Sequence, residues 1–237
     1  MASALVVGPR ERKRLGLGSH TESKKRNHSA IGMWQTSGVS DDLVARPTVY
    51  SIGHSNHTIE KLVSLLGKHQ IEVVADVRTA PFSRYSPQFN RDALSQELTK
   101  SEIGYVFLGR ELGGRPDGDH YYDAEGHVRY DHLSKSDLFE TGLERLIAGA
   151  QDHRVSMLCS EGDPSQCHRH LLIARVLKER GCEVVHIQTT GGTITYSEVA
   201  EKTHVQTSLF DEEEEESLWR SPLSVLQNTV QNHSSQD

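Results

Sequence analysis

The sequence predicts a single three-layer α/β domain, a mainly parallel sheet with helices on both faces, between two disordered tails. Three observations carry this expectation. Short β-rich runs alternate with amphipathic helical segments between residues 47 and 190. One run, Ile71 to Val77, is apolar on both faces apart from Glu72 and Asp76, as a strand inside a parallel sheet must be. Over all 237 residues only 35% are apolar, against roughly 45–50% in globular chains when Gly is counted, so the polar excess belongs to the ends.

Each element follows in order. Thr48 to Ile52 is the first strand, ending in Gly53-His54-Ser55. Thr58 caps a helix whose apolar face is Ile59, Leu62, Val63, Leu65 and Leu66, and Gly67 to Gln70 stop it. Ile71 to Val77 delivers Asp76 and Arg78 at its C-terminal end. Asn90 is the expected N-cap of a helix carrying Ala93, Leu94 and Leu98, with Phe89 as hydrophobic staple, and Tyr105 to Leu108 is the third strand. Residues 109–136 show little periodicity, and a loop of that length is expected as a lid, with His120, Tyr121, Tyr122 and His127 over the substrate. Leu138 to Ala150 reads as a helix, Val155 to Cys159 as a strand, Leu171 to Arg180 as a helix closed by Gly181, and Glu183 to Ile187 as the last strand. The β-α-β-α-β-α-β-α-β order is Rossmann-like.

Charge sets the tails apart. Residues 1–46 hold eight Lys or Arg against four Asp or Glu, whereas residues 197–237 hold two against nine, with an unbroken acidic run from Asp211 to Glu216. A disordered basic arm over 1–46 and a mostly disordered acidic tail over 191–237 are expected. No run nears the roughly 18 apolar residues that cross a bilayer, and no apolar stretch follows the N-terminal charges, so neither a membrane protein nor a secreted precursor is expected. Cys159, Cys167 and Cys182 make no dense disulfide framework and leave a thiol free, which suits the cytoplasm.

Ligands of such sheets sit beyond the carboxyl ends of the strands, so His54, Asp76 with Arg78, and Glu161 are expected to converge on one crevice. Two carboxylates there can divide acid and base roles, which makes Asp76 and Glu161 the expected catalytic pair, with His54 beside them. A strand-end ion pair between Asp76 and Arg78 is the structural alternative. Arg78, Arg84 and Arg169, with Asn90, are expected around a phosphate or similar anion; pairing with Asp76, Glu161 and Asp163 is the alternative. Asp163 suits an N-cap, Pro164 the first helical position and Gln166 the capping-box place, which puts Cys167, His168 and Arg169 at a helix start, where unpaired amides favour an anion and lower a thiol pKa. With neighbouring histidines Cys159 and Cys167 could bind zinc, but no paired C-x-x-C or H-x-x-x-H spacing is present, so no metal and no cofactor is expected. The absence of a G-x-x-x-x-G-K-[ST] loop argues against a nucleoside triphosphatase.

Read together, Tyr50-Ser51-Ile52-Gly53-His54-Ser55, Asp76-Val77-Arg78 with Pro81, Ser83-Arg84, Pro87, Phe89-Asn90, Leu112-Gly113-Gly114, and Cys159-Ser160-Glu161 with Cys167-His168-Arg169 resemble the domain-of-unknown-function 488 family over about residues 48–188. The resemblance implies a compact α/β domain and this site map. It implies no settled reaction.

The loop Pro81 to Asn90 mixes Arg84 with Phe82, Tyr85 and Phe89, faces suited to phosphates and bases. The expected function is a nucleotide- or nucleic-acid-processing enzyme that hydrolyses an N-glycosidic bond with the Asp76/Glu161 pair, a base in DNA being flipped into the pocket. Two other classes stay open: a Cys167-dependent thiol enzyme, and a non-catalytic nucleotide or nucleic-acid binder. Gln206-Thr207-Ser208-Leu209-Phe210 resembles the Q-x-x-L-F peptide by which bacterial replication and repair proteins dock on the sliding clamp. Gln206, Leu209 and Phe210 are therefore expected partner-binding residues, the alternative being an apolar turn packed back on the domain.

Overall fold

The computed structural model describes residues 46–208 and 219–225, without the side chains of 204–208. The expected arm over 1–46 thus lies, but for Arg46, outside the described residues. β1 (Thr48–Gly53) leads into α1 (Ile59–Lys68), started by Thr58, whose Oγ1 accepts from Lys61 N at 3.3 Å. β2 (Val73–Asp76), α2 (Arg91–Lys100) and β3 (Gly104–Phe107) follow. Asn90 stands at the N-cap of α2 but caps nothing with its side chain; its Oδ1 accepts from Ser83 N at 2.6 Å and closes the loop between them.

The expected lid over 109–136 is instead built of short elements: α3 (Gly109–Leu112), a 3-10 turn at Asp119–Tyr121, and α4 (Tyr130–Leu133). Leu112, Val128, Tyr130 and Leu133 are buried in the core at spacings of 16, 2 and 3 residues, which no single period joins. Its polar aromatics fasten the segment down: Tyr122 OH donates to Pro116 O at 2.8 Å, and His127 Nδ1 lies 2.7 Å from Ser221 O.

α5 (Asp137–Asp152), capped by Ser136, precedes β4 (Val155–Cys159). Asp163 caps a separate 3-10 turn, Pro164–Gln166, rather than the long helix; the backbone turns extended at Cys167, with φ −125° and ψ 140°. The helix proper starts with a π-helical stretch, Arg169–Ala174, that runs into α6 (Arg175–Glu179), and β5 (Glu183–Ile187) follows. Order continues past 190. β6 (Thr193–Thr195) pairs antiparallel with β5, and α7 (Tyr196–Ser208) succeeds it. Neither has a long apolar run, so composition alone assigned them to the tail. Residues 219–225 return to the domain, where Trp219 Nε1 donates to Leu171 O at 2.7 Å and Ser221 N to Val128 O at 2.9 Å. Of the clamp-like peptide, Gln206 lies in the last turn of α7, while Leu209 and Phe210 fall outside the described residues.

The sheet runs β3-β2-β4-β1-β5-β6, parallel except for the last pair. Side chains alternate across it. Ile52, Val74, Leu158 and Ile187 pack under α1 and α2, whereas Val49, Ala75, Met157 and Val184 pack under α5 and α6. The neighbours β2 and β4 therefore feed connections on opposite faces, and a crevice opens beyond their carboxyl ends, as at the switch point of a doubly wound sheet. No helix among the described residues is long and apolar enough to cross a membrane.

The core holds one polar chain with a testable consequence. Ser51 Oγ lies 2.6 Å from His186 Nδ1, and His186 Nε2 lies 3.0 Å from His170 Nδ1. Burial pushes His186 down to about 3, helped by His170 and Arg169. The folded ring is neutral, while an unfolded imidazole takes up a proton near pH 6.5. Its stabilising contribution is complete above that pH and falls as the solution is acidified toward 3, by roughly 2 kcal/mol at pH 5. Urea midpoints at pH 7.5 and 5 should show wild type losing more stability than His186→Gln; equal losses would remove His186 as the cause.

Candidate functional site

Beyond β2 and β4 lies a cavity of about 320 Å³. Cys159 at the end of β4 lines it together with Cys167 and His168, and Arg78, Arg115, Tyr130 and Glu161 stand around them. Residues 221–223 and 225 contribute another part of the lining. The backbone that presents Glu161 is held from two sides. His54 N donates to Cys159 O and Ser55 N to Ser160 O, both at 2.9 Å, prolonging the β1–β4 ladder. From the helix start, Arg169 donates to Glu161 O at 2.7 Å and to Gly162 O at 3.0 Å.

At the lining, Glu161 Oε2 lies 2.8 Å from Cys159 Sγ and 3.1 Å from Cys167 Sγ. His168 Nδ1 is 3.6 Å from the first sulfur and 3.8 Å from the second, and its Nε2 donates to Val77 O at 3.1 Å. Gly114 makes room for that ring, since a Cβ there would meet His168 Cγ at 2.7 Å. Burial pushes the Cys167 thiol up, but its hydrogen bond with Cys159, the Arg169 charge and His168 together hold it well below its usual value. Cys159 moves the other way, raised first by that shared hydrogen bond and then by burial. Burial lowers His168, yet its bond to Cys167 and the charges of Cys167 and Glu161 leave it raised. The arrangement favours a Cys167 thiolate beside a His168 imidazolium.

The other expected residues sit elsewhere. Asp76 is fully buried, and both its oxygens are occupied: Oδ1 accepts from Arg78 N at 3.1 Å and Nε at 2.8 Å, Oδ2 from Arg78 Nη2 at 2.5 Å and Tyr105 OH at 2.8 Å. The ion pair thus fixes Arg78, which lines the cavity. His54 does not line it; its ring stacks on Phe89 at 4.3 Å, and Nδ1 donates to Ser55 O at 2.9 Å. Burial lowers its pKa, against the Ser55 hydrogen bond. Arg84 is exposed over the Tyr85 ring at 5.3 Å, and Arg169 is 1% exposed and spent on backbone carbonyls. Of the expected set, Arg78, Glu161, Cys167 and His168 meet in the cavity; His54, Asp76, Arg84, Asn90 and Arg169 do not line it.

Sequence reasoning missed Arg115, Tyr130 and the 221–225 segment. Gly113-Gly114 before Arg115 was the available signal for a close approach to the site. Nothing comparable marks Ser221.

A family model described as Domain of unknown function DUF488 matches residues 58–176, from the cap of α1 into α6. The matched stretch contains Arg78, Glu161, Cys167 and His168 but leaves out β1. No curated protein and no solved structure matches the chain.

Proposed function

We propose that this chain, which belongs to the family Domain of unknown function DUF488, is a hydrolase of a nucleotide or nucleic-acid substrate with Glu161 as its acid/base group. The observation that supports this reading is the placement of Glu161. It is exposed, and among the described residues it is the one carboxylate lining a cavity that two arginines, Arg78 and Arg115, also line. A guanidinium group suits a phosphate; that of Arg115 is exposed, while that of Arg78 is bonded to Asp76 through Nε and Nη2. The volume lies at the small end of the roughly 300–1,000 Å³ usual for small-molecule sites, room for one nucleotide or one flipped base.

The bond proposed to break is N-glycosidic. Glu161 takes a proton from water, the water oxygen bonds to the anomeric carbon, and the electron pair of the broken C–N bond leaves with the base, which takes up the proton. In this reading Asp76 is a positioning residue that aims Arg78. Mass spectrometry of products from a panel of nucleotides and modified-base duplexes tests it. Wild type should release a free base, and Glu161→Gln should release it about 10²–10⁴-fold more slowly with unchanged circular dichroism. A folded wild type that frees no base from any member of the panel overturns the glycosidic reading.

A further inference from the structure

We propose that Cys159, Cys167 and His168 bind one zinc-class transition-metal ion, with Glu161 beside its fourth, cavity-facing position. This goes beyond the hydrolase reading and does not depend on which bond is broken. The three donor atoms, two Sγ and one Nδ1, all lie within 4.8 Å of one another. A tetrahedral zinc with bonds of about 2.3 Å to sulfur and 2.0–2.1 Å to nitrogen sets sulfur–nitrogen edges of about 3.6 Å. The observed edges are 3.6 and 3.8 Å.

Orientation agrees with distance. His168 Nε2 donates to the Val77 carbonyl at 3.1 Å, which turns Nδ1 to the sulfurs, as the outer hydrogen bond of a metal-bound histidine does. A packing role would explain one buried thiol. It does not explain two thiols and an imidazole nitrogen aimed at one point with a carboxylate oxygen 2.8 and 3.1 Å from the sulfurs. Soft thiolate donors select zinc, iron or copper(I) over magnesium and calcium. On binding, a divalent ion enters and two protons leave the cluster, so two thiolates and a neutral imidazole surround it with no net charge. Three protein ligands and a position open to a pocket are the pattern of catalytic rather than structural zinc. The ligands escape a spacing search because Cys159 ends a strand, while Cys167 and His168 follow the Asp163-capped turn.

The test uses the reduced full chain. After expression in zinc-supplemented medium and desalting, plasma mass spectrometry should find about one zinc per chain. Cobalt(II) added to the stripped protein should give a thiolate-to-cobalt charge-transfer band with tetrahedral d–d bands. Cys159→Ser, Cys167→Ser and His168→Ala should each weaken retention by more than about 10²-fold, and Cys182→Ser, whose thiol lies outside the cluster, should retain the ion. Folded wild type that takes up neither ion overturns the proposal whatever the variants do, as would full retention in all three ligand variants. Because these readouts do not need turnover, a metal-loaded protein that releases no base overturns the hydrolase reading alone.

Discussion

Replacing Asp76 by alanine is expected to lower the unfolding free energy by about 3–5 kcal/mol and the melting temperature by about 10 °C. The carboxylate has no accessible surface and accepts four hydrogen bonds, three from Arg78 and one from Tyr105. Its removal strands a guanidinium that is itself only 7% exposed, together with a phenol, and an unpaired buried charge costs far more than the pair contributed. Removing both charges is a different matter. Asp76→Leu with Arg78→Met should recover much of the loss, because apolar groups of similar size replace a pair that was expensive to desolvate. Thermal melts of the two single variants and the double variant measure this. Were Asp76→Ala to melt with wild type and lose only turnover, Asp76 would be the acid/base residue that its strand-end position suggested.

Why that suggestion and the geometry part company is a matter of strand period. Ile71 to Val77 was legible as a strand because it is apolar on both faces, and Thr58 as a cap because little else begins the helix after it. Convergence at strand ends needs more, namely that the side chains share a face. Asp76 follows Ala75, which packs under α5 and α6, so it points to the opposite face, where Tyr105 meets it. Cys159 follows Leu158 and points under α5 and α6, where Cys167 lies. Counting by two would have separated Asp76 from the cysteines and kept Cys159 with Cys167. Arg169 could not be placed that way. Its burial depends on the extended break at Cys167 and the π-helical start after it, local backbone choices that no periodicity encodes. The 221–225 segment was hidden for a third reason: it follows an acidic run whose composition resembles a solvated tail, and its Ser221 and Ser224 are buried by hydrogen bonds rather than by apolar character.

Gly53→Ala should damage stability and site together, although Gly53 is not among the residues that line the cavity beyond β2 and β4. A Cβ on Gly53 would stand 1.7 Å from Glu161 O and 2.6 Å from Glu161 C, distances at which the backbone must give way. The obstacle is main chain, so no side-chain rotation relieves it. Glu161 O is also the acceptor of Arg169 Nη1 at 2.7 Å, so the displacement that admits the methyl group pulls that carbonyl from a buried guanidinium. Overpacking and a weakened buried hydrogen bond to a charge together set the loss at about 3 kcal/mol or more. The same shift carries the Glu161 carboxylate off Cys159 and Cys167, which β4 and the 3-10 turn hold independently. Urea unfolding and cobalt titration separate the two effects: the midpoint should fall, while the charge-transfer band should persist on Cys159, Cys167 and His168 and base release should drop as in Glu161→Gln. A wild-type midpoint in Gly53→Ala would mean that the 160–162 backbone yields freely, and Glu161 would then have no fixed position from which to act.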